Sequence, residues 1–388
     1  MSEPRVLLVL AGSTGGIGRH VRSVVDGLVA AGIPVAVAGP ERGDLDFGFS
    51  RAGAVFHAVE IGGAPSAGDV ATVRALTTAI TSWRPTVIHA HGLRAAAVAV
   101  AARTAARARG RTSPAGRTSP AGRPRPGLVA TWHNVPVVAG ARRALQHGLE
   151  AVAARGADLT LGASADLVDR ARRSGARHAR LGAVAAPPLP PATRDPAEVR
   201  AELGAAERPL LLAVGRLAVQ KDYPTMLAAA RHWAAAEPAP VLAIAGDGPL
   251  ADALAAQVAR EGLDVRLLGA RRDVADLLAA ADAVVLSSTW EARALVAQEA
   301  LRAGVPLVAT AVGGVPALVG DAALLVPPGD PAALAAAVRR VLTEPELAAE
   351  LAAAGRLRSA AWPDETTVQQ ELIKLYREWR DGAPPPIP

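Results

Sequence analysis

The 388-residue sequence has no cysteine, only two lysines among its 42 basic residues, and few aromatics: 6 Trp, 2 Tyr and 3 Phe. Without cysteine there can be no disulfide, thiolate metal site or cysteine nucleophile. With few aromatics, Ala, Val and Leu must fill the core. No apolar run approaches the roughly 18 residues that cross a bilayer. The N-terminal VLLVLA is shorter than a signal-peptide core and leads into a glycine loop. These absences predict a cytoplasmic chain. Half of the residues are apolar, which at this length leaves room for two domains.

The net charge of +6 suggests nucleic-acid binding but is local in origin. Residues 101–127 hold seven Arg (103, 107, 109, 111, 117, 123, 125) and no acid; the remainder carries 35 basic and 36 acidic residues. No basic face, and no nucleic-acid partner, is expected. Within that stretch RTSPAGRTSPAGRPRPG (111–127) repeats a six-residue unit with Pro and Gly at turn spacing and nothing to bury. It reads as a disordered surface insertion over 105–127. Its arginines give a route to peripheral contact with an acidic lipid surface, such as the inner membrane face.

Elsewhere apolar strand-like runs alternate with helical patterns, the mark of parallel α/β sheets. The first half offers RVLLVL (5–10), PVAVAG (34–39), AVFHAV (54–59), TVIHAH (86–91), LVATWH (128–133) and DLTLGA (158–163). The second offers PLLLAV (209–214), PVLAIAG (240–246), VRLLG (265–269), AVVLSS (283–288), PLVAT (306–310) and ALLVP (323–327). The proline-rich AAPPLPPATRDP (185–196) divides the halves. Expected boundaries are 1–184, a linker over 185–208, a second domain over 209–363, and a C-terminal helix and tail over 364–388, the helix packing back on the first domain. In doubly wound sheets ligands bind outside the carboxyl ends of the strands, and each candidate below falls at such an end.

Glu291 and Glu299 stand eight positions apart in WEARALVAQEALRAGVP, behind the strand 283–288. On a helix that spacing is a little over two turns and puts both carboxylates on one face. A helix start there offers hydroxyl acceptors and free N–H groups for phosphate. Read blandly, the pair is a capping acid and a solvated one. Arg216 and Lys221, in VGRLAVQKDYP, are two cations able to stabilise a departing diphosphate without a metal. In IAGDGPL, Gly246 leaves room for a base or ribose and Asp247 is a candidate helix cap, although a structural turn explains both equally. AGSTGGIGRHV (11–21), with Gly15 and Gly16, allows close backbone approach to a phosphate or sugar. His89, His91 and His133 end neighbouring strands; no diagnostic spacing or carboxylate marks them as metal ligands, so no metal is expected. The DLD triplet (44–46) reads as surface in a loop.

The order GGIG, HAH, TWH, GRLxxxxK, AGDGP, LLGxRxDV, ExxxxxxxE and GVPLVATAVGGVP resembles retaining glycosyltransferases of family 4 over nearly the whole chain, more specifically in its second half. The resemblance implies the GT-B fold, two doubly wound Rossmann-like domains facing a central cleft, and metal-independent transfer from a nucleotide-diphosphate sugar, a UDP- or GDP-sugar, to an unidentified hydroxyl on a small molecule, glycan or lipid-linked acceptor. It needs no cofactor. It assigns Arg216 and Lys221 to the diphosphate, Glu291 to the sugar, Glu299 to the ribose and His133 to the reacting sugar. Gly15 and Gly16 would frame the acceptor side, and Gly246, Asp247, Arg293, Ala294 and Leu295 would line the donor. Three departures stand out: Ala292-Arg293-Ala294 replaces the usual Gly-Phe-Gly, AAPPLPP replaces an Asn-Gly, and the arginine insertion is added. Two other readings use the same residues. One is a non-catalytic nucleotide-sugar binder, which the Ala-Arg-Ala replacement motivates. The other is another enzyme of the fold, such as a sugar-nucleotide epimerase or a phosphorylase, for which Lys374 is a poor pyridoxal-bearing lysine.

Overall fold

The computed structural model describes residues 3–12, 15–111, 125–134, 140–182, 184–185, 188, 190–233 and 237–379. It separates into two compact units, residues 1–187 with 363–388, and residues 188–362.

In the first unit the strands are β1 (Val6–Leu10), β2 (Val35–Gly39), β3 (Val55–Ala58), β4 (Val87–His91), β5 (Gly127–Trp132), β6 (Leu159–Gly162) and β7 (Ala179–Leu181). Their intervening helices are α1 (Gly16–Ala30), α2 (Glu41–Phe47), α3 (Asp69–Trp83), α4 (Leu93–Arg111), α5 (Ala141–Gly156) and α6 (Ala165–Arg173). The sheet is parallel, in the order β3-β2-β1-β4-β5-β6-β7. β1, β2, β4, β5 and β6 are buried throughout, which explains why they read as continuous apolar runs rather than alternating ones.

The second unit holds α7 (Pro196–Glu202), β8 (Leu210–Val214), α8 (Tyr223–Trp233), β9 (Val241–Ala245), α9 (Ala251–Glu261), β10 (Val265–Gly269), α10 (Val274–Ala280), β11 (Ala283–Leu286), α11 (Leu295–Ala303), β12 (Leu307–Thr310), α12 (Val315–Val319), β13 (Leu324–Val326), α13 (Pro331–Thr343) and α14 (Pro345–Ala360). Its sheet is also parallel, in the order β10-β9-β8-β11-β12-β13. The strand order reverses between β1 and β4 in one unit and between β8 and β11 in the other, and a crevice at the strands' carboxyl ends is the ordinary ligand position at such a switch point.

The last helix, α15 (Glu365–Glu378), belongs to the first unit. Its Val368, Leu372, Leu375 and Tyr376 join the core formed by β1, α1 and β2. Gln369 Nε2 donates to the Ser23 carbonyl at 2.9 Å, and a Cβ on Gly27 would meet the Gln369 side chain at 2.7 Å, so α1 and α15 pack at close range.

Several expectations need correction. Residues 105–111 are not part of an insertion: Ala-rich helix-forming sequence carries α4 through Arg111. Just before them Arg103 is buried, donating at 2.5 Å to Asp158 and at 2.6 Å to the Gly156 carbonyl. Arg125 also pairs with Asp158. The repeat at 112–124 lies outside the described residues. The expected linker contains α7, whose Asp195 caps the Ala197 N–H and whose Val199 is buried in the second unit's core. The DLD triplet sits in α2 rather than a loop, because Arg42 and Asp46 pair one turn apart and Gly48 closes the helix in the left-handed region. Among the described residues no helix is long and apolar enough to cross a membrane.

Candidate active site

In the second unit the site is built from the loops that leave β8, β9, β11 and β12. After β8 the chain turns through Arg216 into a single 3₁₀ turn, Val219–Lys221. This turn is fastened to the β11 loop by backbone and side-chain bonds. Ser287 Oγ donates to the Lys221 carbonyl at 2.8 Å, Gln220 Nε2 to the Trp290 carbonyl at 2.6 Å, and the Thr289 N–H to the Gln220 carbonyl at 2.8 Å. Lys221 Nζ then reaches Glu291 Oε1 at 2.6 Å, and Ser288 Oγ donates to the same oxygen at 2.7 Å. The Glu291 side chain is 9% exposed and that of Lys221 19%, so a largely buried pair is held by these loops. Tyr223 supports it from below, donating to the Gly215 carbonyl at 2.9 Å. Burial, and then the Glu291 carboxylate, raise the Tyr223 hydroxyl above its ordinary value, which keeps it a donor.

Glu291 lies four residues before the first residue of α11. The expected shared helix face with Glu299 is therefore wrong. Glu291 is oriented by its loop: its carbonyl accepts the Gly314 N–H at 2.8 Å, and a Cβ on Gly313, at φ 51°, would lie 2.1 Å from that carbonyl oxygen. Only glycine fits both the backbone angle and the contact. Glu299 is half-buried in the second turn of α11. Ala294 is the cap residue of α11 and Leu295 its first residue, and no side chain caps this end. Its first N–H groups therefore suit an anion.

The turn after β9 explains one glycine by steric contact. A Cβ on Gly246 would lie 1.9 Å from the Gly215 carbonyl oxygen, so the β8 and β9 loops touch there. Asp247 does not cap α9; its Oδ1 accepts the adjacent Gly248 N–H at 2.7 Å, while its carbonyl takes the Leu217 N–H at 2.9 Å. Arg216 is exposed, and its guanidinium has no partner among the described residues. Arg293 turns its Nε to Gln298 Oε1 at 3.1 Å and lies over the Trp362 ring, 5.6 Å from its centroid. Burial, together with Arg302 and Arg358, lowers its pKa.

In the first unit Gly15 caps α1 and Gly16 opens it; a Cβ on Gly15 would meet nothing within 4 Å, so packing does not require a glycine there. Four imidazoles gather at the neighbouring strand ends. His89 is fixed on both sides, by the Tyr376 hydroxyl at 2.5 Å and by Thr131 Oγ1 at 2.6 Å. His91 lies tilted against His89, with ring centroids 4.1 Å apart, and its Nδ1 shares a hydrogen bond with His133 Nε2 at 3.1 Å. His20 packs edge-on against both, with centroids 5.4 and 5.3 Å away. Burial depresses all four pKa values, to about 4 for His20 and about 3 for His89. The rings are neutral at physiological pH.

The structure brings Lys221 and Glu291 together and places His91 against His133. The motif reading did not single out Gln220, Tyr223, Ser288, Gly313 or His20. Two signals were present: Ser287 and Ser288 end an otherwise apolar strand, and His20, Val24 and Leu28 recur at four-residue spacing on the buried face of α1.

Residues 195–358 match the family model described as glycosyl transferases group 1, and residues 15–187 match the glycosyl transferase 4-like domain. The chain is 32% identical over 322 residues to glycogen synthase of Mycobacterium tuberculosis, which covers 79% of this chain and 72% of that protein. It is 31% identical over 188 residues to alpha-D-kanosaminyltransferase of Streptomyces kanamyceticus, covering 47% of this chain and 49% of that protein. Its fold matches Anabaena Alr3699/HepE, crystallised with UDP and glucose, with a TM-score of 0.77 at 19% identity over 96% of this chain and 99% of that one. Two parallel α/β units, matching family models over both, and a relative aligned over most of its length make this chain a member of glycosyltransferase family 4, a glycosyltransferase of GT-B fold.

Proposed function

We propose that the chain transfers a sugar from a nucleotide-diphosphate donor to a hydroxyl acceptor with retention of anomeric configuration and without a metal on the diphosphate. The observation that carries this is the Lys221–Glu291 pair at the switch point of the second sheet. An ammonium has three donors, and Glu291 takes one of them. In this reading the others, with the exposed Arg216, stabilise the charge of a leaving diphosphate. The same hydrogen bond fixes Glu291 as a hydroxyl acceptor for the transferred sugar. Glu299 is assigned to the ribose, Gly246 and Asp247 to the nucleoside side, and Ala294 and Leu295 to phosphate through the start of α11. The first unit is assigned the acceptor side through Gly15, Gly16 and His133. Retention follows a front-face path in this reading, the departing phosphate taking the acceptor's proton. That Anabaena HepE was crystallised with UDP and glucose favours a UDP-sugar, with GDP-sugars the next to try.

A thermal-shift screen of UDP-, GDP- and ADP-sugars tests the donor. One of them at 100 times its Kd should stabilise the chain by about 2.7 kcal/mol. With that donor, Arg216→Ala and Lys221→Ala should each lower turnover by roughly 100-fold or more. Wild-type turnover in both variants would refute the diphosphate assignment.

A further inference from the structure

Three imidazoles from separate elements converge in the first unit: His20 from α1, His91 from the end of β4, and His133 just beyond β5. One nitrogen of each lies within 4.8 Å of the others, and among the described residues no other such group of potential ligands occurs. We propose that His20, His91 and His133 form a binding site for a divalent transition-metal ion of the zinc class, distinct from the diphosphate chemistry assigned to Arg216 and Lys221.

The geometry is close to what such an ion requires. Zinc–imidazole bonds of about 2.0–2.1 Å in a tetrahedron separate ligand nitrogens by about 3.3 Å. His91 Nδ1 and His133 Nε2 already stand 3.1 Å apart in a hydrogen bond that a bound ion would replace, and His20 has to draw in. His91 Nε2, the nitrogen of that ring that does not face His133, is buried with no partner among the described residues, so no second contact fixes the tautomer of the ring. His89 differs in kind, since both of its nitrogens are occupied, and it serves as a rigid support packed against His91.

The chemistry selects the ion. Burial keeps the three rings neutral, so each carries one lone-pair nitrogen; the proton shared between His91 Nδ1 and His133 Nε2 moves to the far nitrogen of its ring when both bind the ion. Imidazole nitrogen suits zinc, cobalt, nickel and copper, whereas Mg²⁺ and Ca²⁺ need oxygen ligands that the group lacks. Three nitrogens leave a fourth position for water or an exogenous ligand. Sequence spacing does not reveal the group, because its members are 71 and 42 positions apart and one of them is in a helix otherwise read as glycine-loop and apolar stripe.

Titration of the metal-free full chain with Co²⁺ tests the proposal, and it is independent of the donor reading because it needs no turnover. The wild type should bind one Co²⁺ with the visible ligand-field absorption of a nitrogen-ligated, four- or five-coordinate ion, and Zn²⁺ should displace it. His20→Gln and His91→Gln should each weaken binding by more than the roughly 10–100-fold that loss of an outer-shell contact costs. Binding that is unchanged in both variants, or that gives only the faint spectrum of hexa-aquo cobalt, overturns the proposal. Should a variant fail to fold, zinc-edge X-ray absorption on the loaded wild type decides: three imidazole nitrogens support the site, and an all-oxygen shell overturns it.

Discussion

Lys221 and Glu291 are 70 positions apart in sequence and share a hydrogen bond of 2.6 Å. Because the pair is largely buried, the two side chains are coupled. Glu291→Gln keeps size and an acceptor for Ser288 but removes the charge, and it should lower kcat far more than it raises KM if Glu291 touches the reacting sugar. Glu299→Gln should do the reverse, raising KM more than it lowers kcat, because a ribose contact is the same in ground and transition states. Steady-state kinetics of the two variants separate these roles, and equal effects on both parameters would erase the distinction. A different residue governs stability in the first unit. Asp158 is buried and receives Arg103, Arg125 and the Leu128 N–H. Arg103→Met should strand part of that charge and cost about 3 kcal/mol in denaturant unfolding. A cost near zero would show that Arg103 does not hold Asp158 in place.

At the scale of elements, the loops leaving β8 and β9 interlock through glycine. Gly246→Ala would force its methyl into the Gly215 carbonyl, and the loop that carries Arg216 and Lys221 would have to shift. Donor affinity should fall at least about ten-fold with little change in far-UV circular dichroism; unchanged affinity would show that the loop yields without cost. The strands themselves were legible as apolar runs bounded by Gly and Pro, since parallel strands buried on both faces leave a continuous signal. The loop position of Glu291 was not. Spacing of eight fits a helix, yet the chain between Trp290 and Ala294 is held in a loop by bonds from Gln220 and Gly314, partners that no local pattern announces. α2 was missed for the opposite reason, being seven residues of mostly polar sequence whose helicity rests on an ion pair and a left-handed glycine. The short β7 (ARL) carries too few residues for any periodicity.

At the scale of the whole molecule, the buried histidines set how the chain responds to acid. His20, His89 and His91 have folded pKa values below the ordinary 6.5, whereas in the unfolded chain they protonate near 6.5. The unfolded state then binds more protons below that pH. The stability these groups contribute is complete above about pH 6.5 and is lost on acidification, down to about pH 4 for His20 and about pH 3 for His89. Each should add about 1.4 kcal/mol per pH unit to the slope between pH 6 and 5. Chemical denaturation in the presence of a chelator checks this; His89→Gln should flatten the profile, and an identical slope would contradict it. The seat of α15 on β1, α1 and β2 has a consequence of another kind. A ribosome makes the second unit's 188–362 before it makes α15, so the first sheet is extruded long before the helix that covers it. The apolar flank of α1 must wait uncovered through the synthesis of the second unit, and the first unit to emerge is the last to be finished.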